Sequence, residues 1–270
     1  MKSSNSFSLC FHIDDKAQST DSVQRYPIFH IPHDGNRMPD ELMTSVCIPQ
    51  SRFMEYHEQM RDLAVGALVP DPYRNSSHTE HFEISRLLCD VERFIGLEEI
   101  MEQYGMGFCY ERAFDGMQIK KVTENIKAVT LSYYQQHHDR MDYLCSKHPQ
   151  ILLFDMHSYW DGIVPADFII ANRPTPDVCV GTDPVFTPSE LSSIVCQLFE
   201  DAGFSVELNY PYSGCFVPNA ALKGEGNCVS IMLEFHRRAY LNMDYSANEQ
   251  KILLIRNTLE QIAADCVKQD

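Results

Sequence analysis

The chain has 270 residues, 44% hydrophobic and 11% aromatic, enough to bury a sizeable core, and no Pro/Gly/Ser-rich linker divides it, so residues 1–270 read as one domain. A formal charge of −16 at pH 7 repels nucleic-acid phosphates and leaves small molecules or peptides as the expected ligands. Ten cysteines without a Cys-x-x-Cys pair read as reduced thiols, residues 1–10 lack a signal-peptide core, and no run of about 18 apolar residues occurs; the expectation is a cytoplasmic protein, neither exported nor membrane-inserted.

In chain order, residues 26–32 read as the first core strand, running into the Gly/Asn/Pro-rich turn that places His33 at its carboxyl end. Phe53, Tyr56, Met60, Leu63 and Ala67 recur at steps of three and four, predicting an amphipathic helix over 52–68 with Asp62 beside its apolar stripe. Residues 82–94 read as an apolar run ending in Asp90, Glu92 and Arg93, and 107–111 as a short further strand. A long helix is predicted over 120–147, with one of His137-His138 near its buried stripe in a packed, hydrogen-bonded role.

Residues 151–154 are four consecutive large apolar residues followed by Asp155-x-His157, the pattern of a strand buried on both faces that delivers polar side chains at its carboxyl end. In an extended chain Asp155 and His157 share a face. Short strands follow at 167–172 and 177–181. Thr187-Pro188-Ser189-Glu190 predicts a Thr-capped helix to about residue 202. Residues 205–210 alternate as a strand, 227–238 form another buried strand ending in charge, and Ile252, Ile255, Leu259, Ile262 and Cys266 mark a final helix. Strands alternating with helices predict a three-layer α/β/α sandwich with a mixed, mostly parallel sheet.

Side by side, the strand ends carry His33, Asp90-x-Glu92-Arg93, Asp155-x-His157 and Glu234. Two imidazoles and a carboxylate suit a catalytic zinc with one position left for water, and a further carboxylate, Glu234, is placed to take a proton. A neighbouring arginine would bind a substrate carboxylate or an oxyanion. His-Glu-x-x-His, Gly-x-Ser-x-Gly, Gly-x-Gly-x-x-Gly and the phosphate-binding loop motif are all absent.

Pro32-His33-Asp34-Gly35, residues 85–94 (Ser-Arg-Leu-Leu-Cys-Asp-Val-Glu-Arg-Phe), Asp155-Met156-His157-Ser158, Gly181-Thr182-Asp183, residues 209–214 (Asn-Tyr-Pro-Tyr-Ser-Gly) and residues 232–240 together resemble the N-formylglutamate amidohydrolase family, in its order from about residue 26 to 245. The resemblance implies a Zn2+-dependent hydrolase with a fold akin to zinc carboxypeptidases and aspartoacylase. It implies cleavage of a small-molecule N-acyl amino acid, N-formyl-L-glutamate to formate and L-glutamate being the eponymous reaction. Another acidic N-acyl or peptide substrate, or a non-catalytic metabolite-binding role, is the alternative. It assigns His33 and His157 as metal ligands, with Asp62 as the third and Glu92 the alternative, and Gly66 where the family has a second Asp. Glu234 becomes the catalytic base, Arg93 and Glu92 stand where relatives carry a substrate clamp of Asn and Arg, and Arg86, Asn209 and Tyr212 are further substrate-binding candidates.

Overall fold

A computed structural model describes residues 25–96 and 99–266; the stretch 1–10, read above as lacking a signal-peptide core, lies outside them. Six strands, β1 (Tyr26–Ile31), β2 (Thr79–His81), β3 (Gln150–Tyr159), β4 (Val178–Gly181), β5 (Val206–Leu208) and β6 (Asn227–His236), form one sheet in the order β2-β1-β3-β6-β4-β5. Every adjacent pair is parallel except β6 with β4, so the predicted mixed, mostly parallel sheet is what forms. The helices are α1 (Asp40–Met43), α2 (Gln50–Met60), α3 (Glu124–Ser146), α4 (Ser189–Asp201), α5 (Asn219–Leu222) and α6 (Glu249–Cys266).

Alternation along the buried strands builds the layers. Leu152, Phe154 and Met156 of β3 and Ile231, Leu233 and Phe235 of β6 pack with Leu191 and Val195 of α4 and Ile252, Ile255 and Leu259 of α6. On the other face Ile151 and Leu153 meet Ile28 and the α3 residues Met141 and Leu144. Truncating such a residue, as in Leu153→Ala, costs about 2–5 kcal/mol. The same alternation puts His30, Asp155, His157 and Glu234 on the α3 side. Because β1, β3 and β6 are neighbours running the same way, their carboxyl ends meet at one place.

Several elements differ from expectation for non-local reasons. The helix predicted over 52–68 stops at Met60: Arg61 is extended, Asp62 N–H donates to His33 O, and Val65–Leu68 makes a separate 3-10 turn. Arg237 fixes this end, its Nη2 donating to the carbonyls of Glu58 (3.4 Å), Gln59 (3.0 Å) and Arg61 (2.6 Å). Residues 82–94 are not a strand beyond one bridge at Ile84; Leu87, Leu88, Cys89 and Val91 are buried in succession beneath Phe53, Tyr56 and Tyr110, in a second core that needs no alternation. Neither 107–111 nor 167–172 joins the sheet, and Phe168, Ile169 and Ile170 remain about half exposed. Pro188, not Thr187, caps α4; Thr187 Oγ1 donates to Ser230 O at 2.6 Å instead.

One glycine is dictated by close approach. A Cβ on Gly35 would lie 2.4 Å from the backbone of Phe82 and Glu83, where the His33 turn lies against the start of the 82–94 segment.

Candidate active site

His33 leaves the end of β1, His157 lies near the end of β3, and Asp62 follows the arrested end of α2; all three are buried. His157 Nδ1 is 3.0 Å from Asp62 Oδ2, His33 Nδ1 is 3.6 Å from the same oxygen, and the two Nδ1 atoms are 3.3 Å apart. Three ligand atoms within 4.8 Å of one another, two imidazole nitrogens and one carboxylate oxygen, could hold a metal ion. Gly66 donates its N–H to Asp34 Oδ2 at 2.9 Å, and a Cβ there would be 3.2 Å from that oxygen. A second carboxylate at that position would meet Asp34.

The outer nitrogens of both imidazoles are held by carboxylates. His33 Nε2 donates to Asp90 Oδ1 at 2.9 Å and His157 Nε2 to Asp155 Oδ1 at 3.1 Å, an arrangement that aims Nδ1 inward. Glu92 lies on this outer side too, Oε1 3.2 Å from His157 Nε2 and Oε2 3.7 Å from His33 Nε2. Asp62 faces the Nδ1 edges and Glu92 the Nε2 edges, which favours Asp62 over Glu92 as the third donor. Burial opposes charge on His33, but Asp90, Glu92 and Asp62 outweigh it and raise the imidazole above its ordinary range. His157 is raised further, burial being outweighed by Glu92, Asp155 and Asp62. Burial likewise opposes the Asp62 carboxylate, yet hydrogen bonds from His157 and His33 hold it below the ordinary range.

Glu234 stands opposite His157 in the β3–β6 register. Its Oε2 is closed off from solvent without a hydrogen-bond partner among the described residues. Burial pushes this carboxyl up to about 8, against the pull of His157 and with the push of Asp62. A carboxyl so poised can take and return a proton near neutral pH.

The 82–94 segment brings the guanidiniums. Arg86 Nη2 donates to Asp90 Oδ2 at 3.0 Å and Nη1 to Met60 O at 3.4 Å, with Asp62 Oδ1 at 3.9 Å, so Arg86 is engaged inside the site. Tyr110 OH donates to the same Asp90 oxygen at 2.8 Å; nothing in the sequence around Tyr110 marks it. Arg93 is freer, with Nε 3.7 Å from Asp90 Oδ2 and its side chain 27% exposed. Tyr212 faces the centre, where burial, then the charge of Glu234, pushes its hydroxyl above the ordinary range. Asn209 is exposed, in the left-handed conformation its residue type tolerates, and both ends of its amide are spent on Thr182 at 2.9 Å. The structure thus gathers His33, Asp62, Glu92, Arg86, Arg93, His157, Tyr212 and Glu234 and leaves Asn209 in a turn. Sequence reasoning passes over His30, although an imidazole between Phe29 and Ile31 in a buried strand is itself a signal.

A mixed α/β sheet that meets imidazoles, carboxylates and guanidiniums at the ends of its parallel strands defines the class as an α/β protein with a hydrolase-like centre. The chain belongs to the N-formylglutamate amidohydrolase family, whose model matches residues 27–241, and so to the hydrolases of amide bonds. It is similar in fold to the crystal structure of N-formylglutamate amidohydrolase from Ralstonia eutropha JMP134, with a TM-score of 0.69 and 17% identity over 90% of this chain and 93% of that one. A gene product of Agrobacterium tumefaciens is similar with a TM-score of 0.59 and 16% identity over 89% of each chain. No curated protein matches by sequence. Among the described residues no helix is long and apolar enough to cross a membrane.

Proposed function

We propose that this protein is a zinc-dependent amidohydrolase acting on N-acyl amino acids, with N-formyl-L-glutamate and water giving formate and L-glutamate. The observation that carries the reading is the convergence of His33 Nδ1, His157 Nδ1 and Asp62 Oδ2 beside the closed-off carboxyl of Glu234. Charge supports a divalent cation. The carboxylates of Asp62, Asp90, Glu92 and Asp155 surround the two imidazoles, with the guanidiniums of Arg86 and Arg93 against them. Bound at this position, zinc would supply positive charge that polarises the scissile carbonyl and acidifies water.

The chain's own residues do the rest. Glu234 takes the proton that the attacking water loses and returns it to the departing amine nitrogen. Positive charge beside it opposes the burial that lifts it to about 8, and so favours the ionised base. Arg93, less committed than Arg86, grips the carboxylate of the amino acid in a two-pronged contact. Asp90 and Asp155 keep both imidazoles aimed inward.

The test is formate release from N-formyl-L-glutamate by protein carrying one equivalent of zinc, with loss on chelation and recovery on adding zinc back. Full zinc occupancy without turnover on a panel of N-formyl and N-acetyl amino acids would overturn the reading in favour of a metabolite-binding protein.

A further inference from the structure

We propose that His30 and His137 are positioning residues: through Asp155 they hold the His157 ring with Nε2–H outward and Nδ1 facing Asp62 and His33. The proposal rests on the reading of those three residues as one metal site. His30 stands opposite Asp155 in the β1–β3 register, and both are buried. Its Nδ1 donates at 3.0 Å to Asp155 Oδ1, the oxygen that also accepts from His157 Nε2 at 3.1 Å. The other oxygen accepts the Phe216 N–H at 2.8 Å. Donors from β1, from β3 and from the chain after β5 therefore occupy both oxygens, and the carboxylate cannot turn away from His157.

On its far edge His30 Nε2 lies 2.9 Å from His137 Nε2, on α3. A neutral His30 that donates from Nδ1 has only a lone pair at Nε2, so His137 donates there. The His137 ring is edge-on to Phe82 and Phe216, with centroids at 5.2 and 6.4 Å, and its Nδ1 has no hydrogen-bond partner among the described residues. The α3 helix thus reaches His157 through two buried imidazoles and a buried carboxylate. Hydrogen bonding to a ligating histidine is worth about 10–100-fold in metal affinity or activity, and a locked chain of donors transmits that effect from further out.

His30, Glu92 and Asp155 also stand close enough together to hold a second cation. His30 Nδ1 and His157 Nε2 are nonetheless already at hydrogen-bond distance from one oxygen, so the positions need no ion, and the test separates the two.

The experiment compares the full chain with His30→Asn, His30→Gln and His137→Phe. Asn offers an amide nitrogen where Nδ1 stood, whereas Gln offers one where Nε2 stood. Two quantities are read: the downfield imidazole N–H resonance of His157 in zinc-free protein, and the zinc Kd by chelator competition. His30→Asn should keep the resonance and a Kd within about threefold, while His30→Gln should broaden the resonance and weaken zinc by about 10–100-fold. His137→Phe should shift both in the Gln direction by less. Equal effects of Asn and Gln, or none, would overturn the proposal, as would a second equivalent of zinc lost with His30. The resonance is read without zinc or substrate, so wild-type protein that binds no zinc or turns nothing over defeats the proposed function and leaves this comparison decisive.

Discussion

Glu234→Gln separates chemistry from architecture at one position. The side chain keeps its shape, so the pairing of Glu234 with His157 on one side and Cys179 on the other is undisturbed. Oε2 makes no hydrogen bond among the described residues, so none is lost there, and a carboxyl that burial has lifted to about 8 is replaced by a group that never ionises. Zinc content should therefore match wild type and Tm should hold or rise. If Glu234 moves the proton, kcat should fall by about 10²–10⁴-fold, which is about 2.7–5.4 kcal/mol in the barrier at 1.36 kcal/mol per tenfold. KM should change little, because the carboxyl group of the substrate is gripped elsewhere. Formate release, bound zinc and a thermal melt on one preparation suffice. A kcat close to wild type would remove Glu234 from the mechanism, and a lowered Tm with normal kcat would make it a structural residue. A structural role would call for a charged partner, but Arg237 is spent on carbonyls at the end of α2, and Arg238 donates to Asp177 at 2.8 Å.

For the third metal donor, Asp62→Asn should lose zinc while Glu92→Gln retains most of it; the reverse pattern, read by metal analysis of the purified variants, would move the role to Glu92. Arg93→Lys should raise KM by roughly 10-fold, the loss of one charge-assisted hydrogen bond of about 1.5 kcal/mol, with kcat little changed; an unchanged KM would pass the carboxylate contact to Arg86. Zinc affinity should fall as pH drops, because His33 and His157 are both raised in the metal-free protein and each must give up a proton before Nδ1 can bind. Raised imidazoles hold their protons to higher pH, so the competition extends above pH 6.5, and calorimetry in buffers of differing ionisation heat should find close to two protons released per zinc; none released would contradict the assignment of both histidines.

Much of this centre is legible in the sequence because it hangs on two strands buried on both faces. Residues 151–154 and 229–233 read as central strands from their short apolar runs ending in charge, and the pairing of β3 with β6 brings the polar groups that follow them, His157 and Glu234, together at the sheet's carboxyl end. Asp62 is legible as a candidate but not as a position: the apolar period runs on to Ala67, and only Arg237, some 180 residues away, shows why the helix stops at Met60. Residues 82–94 carry continuous apolar character, which periodicity alone cannot assign, and their burial under Tyr56 and Tyr110 is a tertiary choice. Asp90 is visible as a charge at the end of that run, whereas its partner Tyr110 comes from a segment whose strand-like reading gives no hint of the contact.

The glycine at position 35 acts as the site's caliper. One backbone carries His33 away from it, the other leads to Arg86, Asp90 and Arg93, and the two touch where a single methyl would have to fit within 2.4 Å. The gap between His33 and the segment that carries Arg86, Asp90 and Arg93 is therefore gauged by main chain against main chain. Side-chain motion does little to such a gauge.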